Sequence, residues 1–212
     1  MENAFIQRGD IRSIPSLPHE IINPKCNIIM TSYVFLADGF EEIEAITPVD
    51  VLRRAGIEVK TVSINDTHRV TGAHGIEVNA DLTFKQADFA DCEWLILPGG
   101  MPGATNLAAF RPLTELIKVH AENGRKLAAI CASPAVVLAP LGVLKNRKAI
   151  CYPGFEGALK DADAEVTPGR AVIDGNIITS NGPSSALDFA LAIVAETKSR
   201  GVANEVAGGM LL

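Results

Sequence analysis

Short unbroken apolar runs, separated by segments of helical period, restrict this chain to a small set of folds. Tyr33 to Ala37, Trp94 to Leu97 and Leu127 to Ile130 are too short for helices and lack the apolar-polar alternation of a strand with one wet face. Such runs suit strands covered on both sides. A helix is expected from about Glu41 to Ala55, stopped by Gly56, and a second strand from Val59 to Ser63, which completes a βαβ unit. Further extended pieces fall near Val70 to Val78. A helix around Leu113 to Glu122 ends at Gly124, and the strand leading to Cys131 precedes another helix reaching about Leu138. A short strand is expected near Ala149 to Cys151. Ala171 to Ile173 and Ile177 to Thr179 form a hairpin turning at Asp174-Gly175, and the last clear helix covers roughly Ser184 to Glu196. This order implies an α/β fold, a three-layer sandwich with a mostly parallel central sheet and helices on both faces.

The chain has 212 residues, 48% hydrophobic and 21% charged, enough for one domain to bury a core without staples. No apolar run approaches the ~20 residues needed to cross a bilayer, so no membrane partner is expected. A formal charge of −6 and 5% aromatic content supply neither a basic stripe nor stacking platforms, which disfavours nucleic acid as a ligand. Cys26, Cys92, Cys131 and Cys151 lie far apart, and His19, His68, His74 and His120 show no ligand spacing, so no metal site is expected. Unpaired thiols fit a reducing, cytoplasmic compartment. Residues 1–29 carry Pro15, Pro18 and Pro24 without a helical or strand period; they are expected to form a loose extension ahead of a single domain at 30–212.

Cys131 is the residue most suggestive of chemistry. It closes the run Lys126 to Ile130 and opens Ala132-Ser133-Pro134-Ala135, which places a thiol at a strand-to-helix junction. Unpaired N–H groups and the positive end of a helix dipole there favour the thiolate. A small buried inert hydrophobe is the competing description of the same residue.

Glu44 is the second candidate. At helical spacing it shares a sector with Pro48, Val51 and Ala55, whereas Asp50, Arg53 and Arg54 lie away from that sector. A carboxyl on an apolar face has a raised pKa and can exchange protons with a neighbour. Pro48 cannot donate to the Glu44 carbonyl, so an irregular helix is expected there. Alternatively the helix starts late, with Thr47 as its cap and Pro48 at its first position, leaving Glu44 in a solvated turn. Pro98-Gly99-Gly100-Met101-Pro102-Gly103 suits either a plain turn or a loop whose N–H groups approach a ligand closely. No dinucleotide or Walker fingerprint occurs. The junctions at Asp38-Gly39, Pro98-Gly100 and Cys131 all follow strands and can converge at the carboxyl edge of the sheet.

Taken together, Leu36-Ala37-Asp38-Gly39-Phe40-Glu41-Glu42-Ile43-Glu44, Pro48 to Gly56, Leu95 to Gly100, Ala128-Ala129-Ile130-Cys131-Ala132 and Thr179 to Pro183 resemble the ThiJ/PfpI superfamily, within it the branch of the Parkinsonism-associated deglycase. The resemblance runs from about Thr31 to the C-terminus. It implies a flavodoxin-like fold with Cys131 at a nucleophile elbow, Glu44 hydrogen-bonded to its sulfur, and N–H groups of Gly99, Gly100 and Ala132 available to an oxyanion. It also implies a homodimer, with Arg53, Arg54 and His74 near the partner's site, and no cofactor. Tyr152-Pro153 stands where several members carry histidine before proline, so Glu44 must handle protons largely alone. Ser133 stands where glycine or alanine is common, and its hydroxyl is expected to cap the following helix or tune the thiolate.

The activity this resemblance implies is glyoxalase III-like: glutathione-independent conversion of a small reactive carbonyl, methylglyoxal, to lactate, and by extension deglycation of early glycation adducts. The alternatives are a redox sensor or redox-regulated chaperone acting through oxidation of Cys131, and an α/β protein whose elbow is inactive.

Overall fold

Residues 30–212 are described by a computed structural model; the loose extension expected at 1–29 lies outside the described residues. In strand β6 (Cys92–Leu97), Trp94 and Ile96 enter one apolar layer while Leu95 and Leu97 enter the other. Strands β1 (Thr31–Leu36) and β7 (Lys126–Ile130) split the same way, with Val34, Leu36, Ala128 and Ile130 on one side and Tyr33, Phe35, Leu127 and Ala129 on the opposite side. This two-sided burial is the reason the runs lack polar alternation.

Strands β2 (Val59–Ser63) and β5 (Leu82–Thr83) extend the sheet beyond β1, and β11 (Ile177–Ser180) and β10 (Ala171–Asp174) extend it beyond β7. The order is β10-β11-β7-β6-β1-β2-β5, parallel throughout except for the hairpin strand β10. One face is covered by α1 (Glu42–Arg54), α5 (Ala186–Thr197) and α6 (Arg200–Gly209), which contribute Leu52, Phe189, Ile193 and Ala203. The other face carries α2 (Gly103–Ala109), α3 (Arg111–Glu122) and α4 (Glu156–Asp161), through Leu107, Leu113, Ile117 and Leu159. Trp94, Phe35, Phe40 and Phe189 are fully buried, each contributing about 1.5–3 kcal/mol by removal from water.

The α/β three-layer architecture agrees with the sequence, and most elements fall where periodicity puts them. Helix α1 runs through Pro48 without a break, so Glu44 lies in its first turn rather than in a solvated loop. Two expectations need correction. The helix expected after Cys131 is a five-residue π turn, Pro134–Leu138, followed by a 3-10 turn, Ala139–Leu141; Pro140 lacks the N–H that a regular α ladder would bond to the Val136 carbonyl. The piece near Ala149 to Cys151 reduces to β8 (Lys148–Ala149), which pairs only with β9 (Glu165–Val166) outside the main sheet. The extended pieces expected near Val70 to Val78 are present as β3 (Arg69–Thr71) and β4 (Glu77–Asn79), which pair antiparallel with each other outside the main sheet.

Strand β1 lies between β2 and β6, so the chain leaves its carboxyl end in one direction and later returns on the other side. A crevice opens where the connections diverge. The loop after β6 enters that crevice on Gly100, whose φ is +87°, and a Cβ there would lie 2.3 Å from the Glu41 nitrogen and 2.5 Å from the Gly39 oxygen. Gly100→Ala is expected to cost about 2 kcal/mol or more. Gly208→Ala in α6, where an added Cβ meets nothing within 4 Å, should be neutral or slightly stabilising. Urea titration of both variants checks this, and a wild-type midpoint for Gly100→Ala would refute the close packing.

Candidate active site

Three loops from the carboxyl ends of β1, β6 and β7 meet at Cys131. They are tied to one another through backbone and side-chain bonds: Glu41 N–H to Gly99 O at 3.0 Å, Gly103 N–H to Gly39 O at 3.1 Å, and Ser133 Oγ–H to Pro98 O at 2.5 Å. Ser133 therefore clamps the elbow to the β6 loop and does not cap the turn after Cys131, which corrects the role expected from its position.

Cys131 itself has φ +66°, a left-handed conformation that costs a non-glycine residue energy unless its surroundings enforce it. They do. The Cys131 N–H donates to Ser180 O at 2.9 Å, and its carbonyl accepts from Tyr152 N–H at 2.7 Å, so strand β11 and the segment after β8 hold both sides of the kinked peptide.

Glu44 reaches the sulfur from α1. Its side chain is fully buried, Oε2 accepts from Gly99 N–H at 2.9 Å, and Oε1 is buried without a hydrogen-bond partner. A Cβ on Gly99 would lie 2.5 Å from Cys131 Cβ, 2.7 Å from Glu44 Oε2 and 3.0 Å from Cys131 Sγ. Only glycine leaves room for carboxyl and thiol to meet. The Gly99 N–H is thus engaged with Glu44 rather than open to a substrate oxygen. Of the three expected donors that leaves Gly100 and Ala132, whose backbone N–H groups favour the thiolate.

Burial pushes the Glu44 carboxyl up to about 7, against the pull of hydrogen bonds from Cys131 and Gly99, with a smaller upward contribution from the Glu41 charge. Burial also pushes the Cys131 thiol up to about 12, reinforced by the charge and hydrogen bonding of Glu44 and opposed by the Gly100 and Ala132 amides. The sequence predicted a thiolate favoured by a helix dipole. The dry pocket and adjacent carboxylate outweigh that effect, and a five-residue π turn supplies little dipole. At neutral pH the pair keeps at least one proton between them.

The chain matches the DJ-1/PfpI family over residues 30–196. It belongs to that family. Protein dj-1beta of Drosophila melanogaster is 35% identical over 182 residues, covering 86% of this chain and 97% of the relative. Deglycase TK1284 of Thermococcus kodakarensis is 34% identical, with 73% and 91% covered. Protein DJ-1 homolog B of Arabidopsis thaliana is 38% identical over 159 residues; this chain spans 36% of its length, and 46% of that of homolog A. Oxidized Toxoplasma gondii DJ-1 superposes with a TM-score of 0.81 at 38% identity, covering 86% of this chain and 98% of that one.

Other residues singled out in this DJ-1/PfpI chain lie at varying removes from the thiol. Tyr152 adjoins Cys131 through its backbone, and its half-exposed ring packs against Gly182 and, edge-on, against Phe155. Arg53 and Arg54 sit at the far end of α1, about 14 Å along the axis from Glu44, in exposed ion pairs with Asp81 and Asp50. Within one protomer they do not join the site. His74 bonds Glu42 through Nδ1 at 2.8 Å and lies 3.6 Å from Glu41. The hydrogen bond to Glu42, then the charges of Glu41 and Glu42, raises the His74 pKa. Burial opposes ionisation of Glu42, but hydrogen bonds from the His74 side chain and backbone hold its carboxyl below the usual range. Glu41, Glu42 and His74 are the one group among the described residues with three potential metal-donor atoms within 4.8 Å of one another. Sequence spacing gave no hint of this, because the β3–β4 turn brings His74 across to α1.

The raised Glu44 pKa has a stability consequence. Between about 4.5 and about 7 the folded chain holds a proton that the unfolded chain has released, so this group's contribution is greatest at low pH and is lost as pH rises through that window. Glu44→Gln should flatten that dependence, gaining on wild type by on the order of 3 kcal/mol between about pH 5 and about pH 8. Urea melts at the two pH values test it; a constant gap would show that Glu44 titrates normally.

Proposed function

We propose that this chain disposes of small reactive carbonyls, converting methylglyoxal to lactate without glutathione, with Cys131 as nucleophile and Glu44 as its proton acceptor. The observation that carries this reading is the unpartnered Oε1 of a fully buried Glu44 beside a thiol that two amides face. As Sγ bonds to the aldehyde carbon, the thiol proton passes to Glu44, and negative charge on the carbonyl oxygen falls to the Gly100 and Ala132 N–H groups. Glu44 returns that proton to the oxygen, giving a hemithioacetal. The carboxylate then takes the proton from the former aldehyde carbon and delivers it to the neighbouring carbon, while the proton of the hemithioacetal hydroxyl moves to the neighbouring keto oxygen, which yields a lactoyl thioester. Water cleaves the C–S bond, releasing lactate and regenerating the thiol. The sum is an isomerisation plus one water, with no external oxidant or reductant and no cofactor. The relative named Deglycase TK1284 supports extending the same site to glycation adducts.

The same reading takes the chain as a homodimer. Its support is the exposure of Ile43 and Ile46 on α1, beside Leu187 and Met210 in a groove of about 460 Å³. No described helix is long and apolar enough to cross a membrane.

A second reading has its own support in the two sulfur-facing amides and in the oxidized state of the Toxoplasma relative. Peroxide would oxidise Cys131 to a sulfinate held by those amides and by Glu44.

Purified protein is expected to consume methylglyoxal with release of lactate. Cys131→Ser should abolish turnover, and Glu44→Gln should lower it by roughly 10²–10⁴-fold. Because Glu44 must be ionised to accept the thiol proton, kcat/KM should rise with pH through about 7 and then level. Stoichiometric oxidation of Cys131 by peroxide, with no methylglyoxal turnover, would replace the enzymatic reading by the sensor.

A further inference from the structure

At the amino ends of β7 and β11, some 17 Å of strand away from Cys131, lies a groove of about 400 Å³. Lys118 on α3, Lys145 and Arg147 ahead of β8, and Asn176 at the hairpin turn supply its polar lining; Leu141, Val143 and Ile177 supply its apolar side. Glu122 is the only acidic residue lining it, so three cations face one carboxylate in a chain whose formal charge is −6.

The ion pairs of these cations differ from the others. The remaining seven Lys or Arg pairs among the described residues are no longer than 3.0 Å. Lys118–Glu115 is 3.7 Å, Lys145–Asp163 is 3.6 Å and Arg147–Asp174 is 3.4 Å, all beyond the length of a charge-assisted hydrogen bond. The three loosest pairs therefore belong to the three cations lining one groove, while Glu115, Asp163 and Asp174 lie outside its lining. Gly175 makes room for the guanidinium, since a Cβ there would come within 2.7 Å of Arg147 Nη1. Arg147 is set in place by the turn yet only weakly neutralised by it, bonding Asp174 and Asn176 at 3.4 Å.

We infer that this groove binds a small organic phosphate, its anionic group bridging Lys118, Lys145 and Arg147 and its apolar part lying on Leu141, Val143 and Ile177. Guanidinium and ammonium groups that lack close counter-ions lose little on turning to a phosphate, and the volume suits a ligand the size of a nucleotide. The site is independent of Cys131 and of the chemistry proposed there.

Calorimetric titration of the full chain with adenosine diphosphate, and separately with inorganic pyrophosphate, tests the assignment. Saturable, salt-sensitive binding is expected for both, tighter for the nucleotide. Lys145→Ala with Arg147→Ala should weaken it by about tenfold or more. Because Arg147 braces the hairpin, the exposed pair Lys118→Glu with Lys145→Glu is measured in parallel, with the same loss expected and an unchanged melting temperature. Turnover at Cys131 should be unaffected in either variant. Absence of saturable binding, or binding undiminished in a folded double variant, overturns the site; equal affinity for the two probes overturns the apolar half of the assignment.

Discussion

The Gly99 N–H bond to Glu44 Oε2 fixes what everything else at the carboxyl edge of the sheet can do. It commits Oε2 of a buried carboxyl to the β6 loop, in the same small space as the thiol, and leaves Oε1 buried without a partner. An unsatisfied buried oxygen is costly, so the fold retains it at the expense of stability. The cost is bearable because α1 is anchored elsewhere, by Val49, Val51 and Leu52 in the core. Moving Glu44 off its helix face, or giving residue 99 a side chain, would relieve the oxygen and separate the two groups.

The elbow depends on restraint more than on dipoles. Dipolar stabilisation of a thiolate needs a regular helix aimed at the sulfur, and the chain after Cys131 forms short π and 3-10 turns with Pro140 interrupting the ladder. What the chain supplies in its place is a kinked residue whose amide and carbonyl are both held by neighbouring segments, with the Gly100 and Ala132 amides favouring the thiolate. In such a dry site the proton leaves the thiol only when a base takes it. The carboxyl raised to about 7 is matched to that task near neutral pH, ionised in part of the population and able to return the proton.

The legible features in the sequence were those set by near neighbours. Two-sided burial writes itself into β1, β6 and β7 as runs without alternation, and one-sided burial writes Glu44 into the apolar sector of α1. Helix α6 left no clear mark, because Gly201, Gly208 and Gly209 lower its propensity and Ala203 is its one fully packed residue. Strand β5 and helix α4 are too short for a period to register. Within the site, Cys131, Glu44 and the glycine loop were each visible, but their bonding was not. Whether Gly99 donates to a substrate or to Glu44, 55 residues earlier, depends on how α1 docks on the sheet. Ser133 finds its acceptor 35 residues away for the same reason.

The two ends of the sheet show how one architecture separates tasks. At the carboxyl edge, diverging connections bury their polar groups and bind them tightly to one another, which raises pKa values and excludes water. At the amino edge, the chain turns back through short exposed segments, and cations there keep their side chains in solvent with counter-ions at arm's length. A buried carboxyl must hold its proton balance by geometry, so nearly every contact around Glu44 is fixed. A cation facing water keeps its charge in any geometry, and looseness there leaves it free to accept an anion from outside.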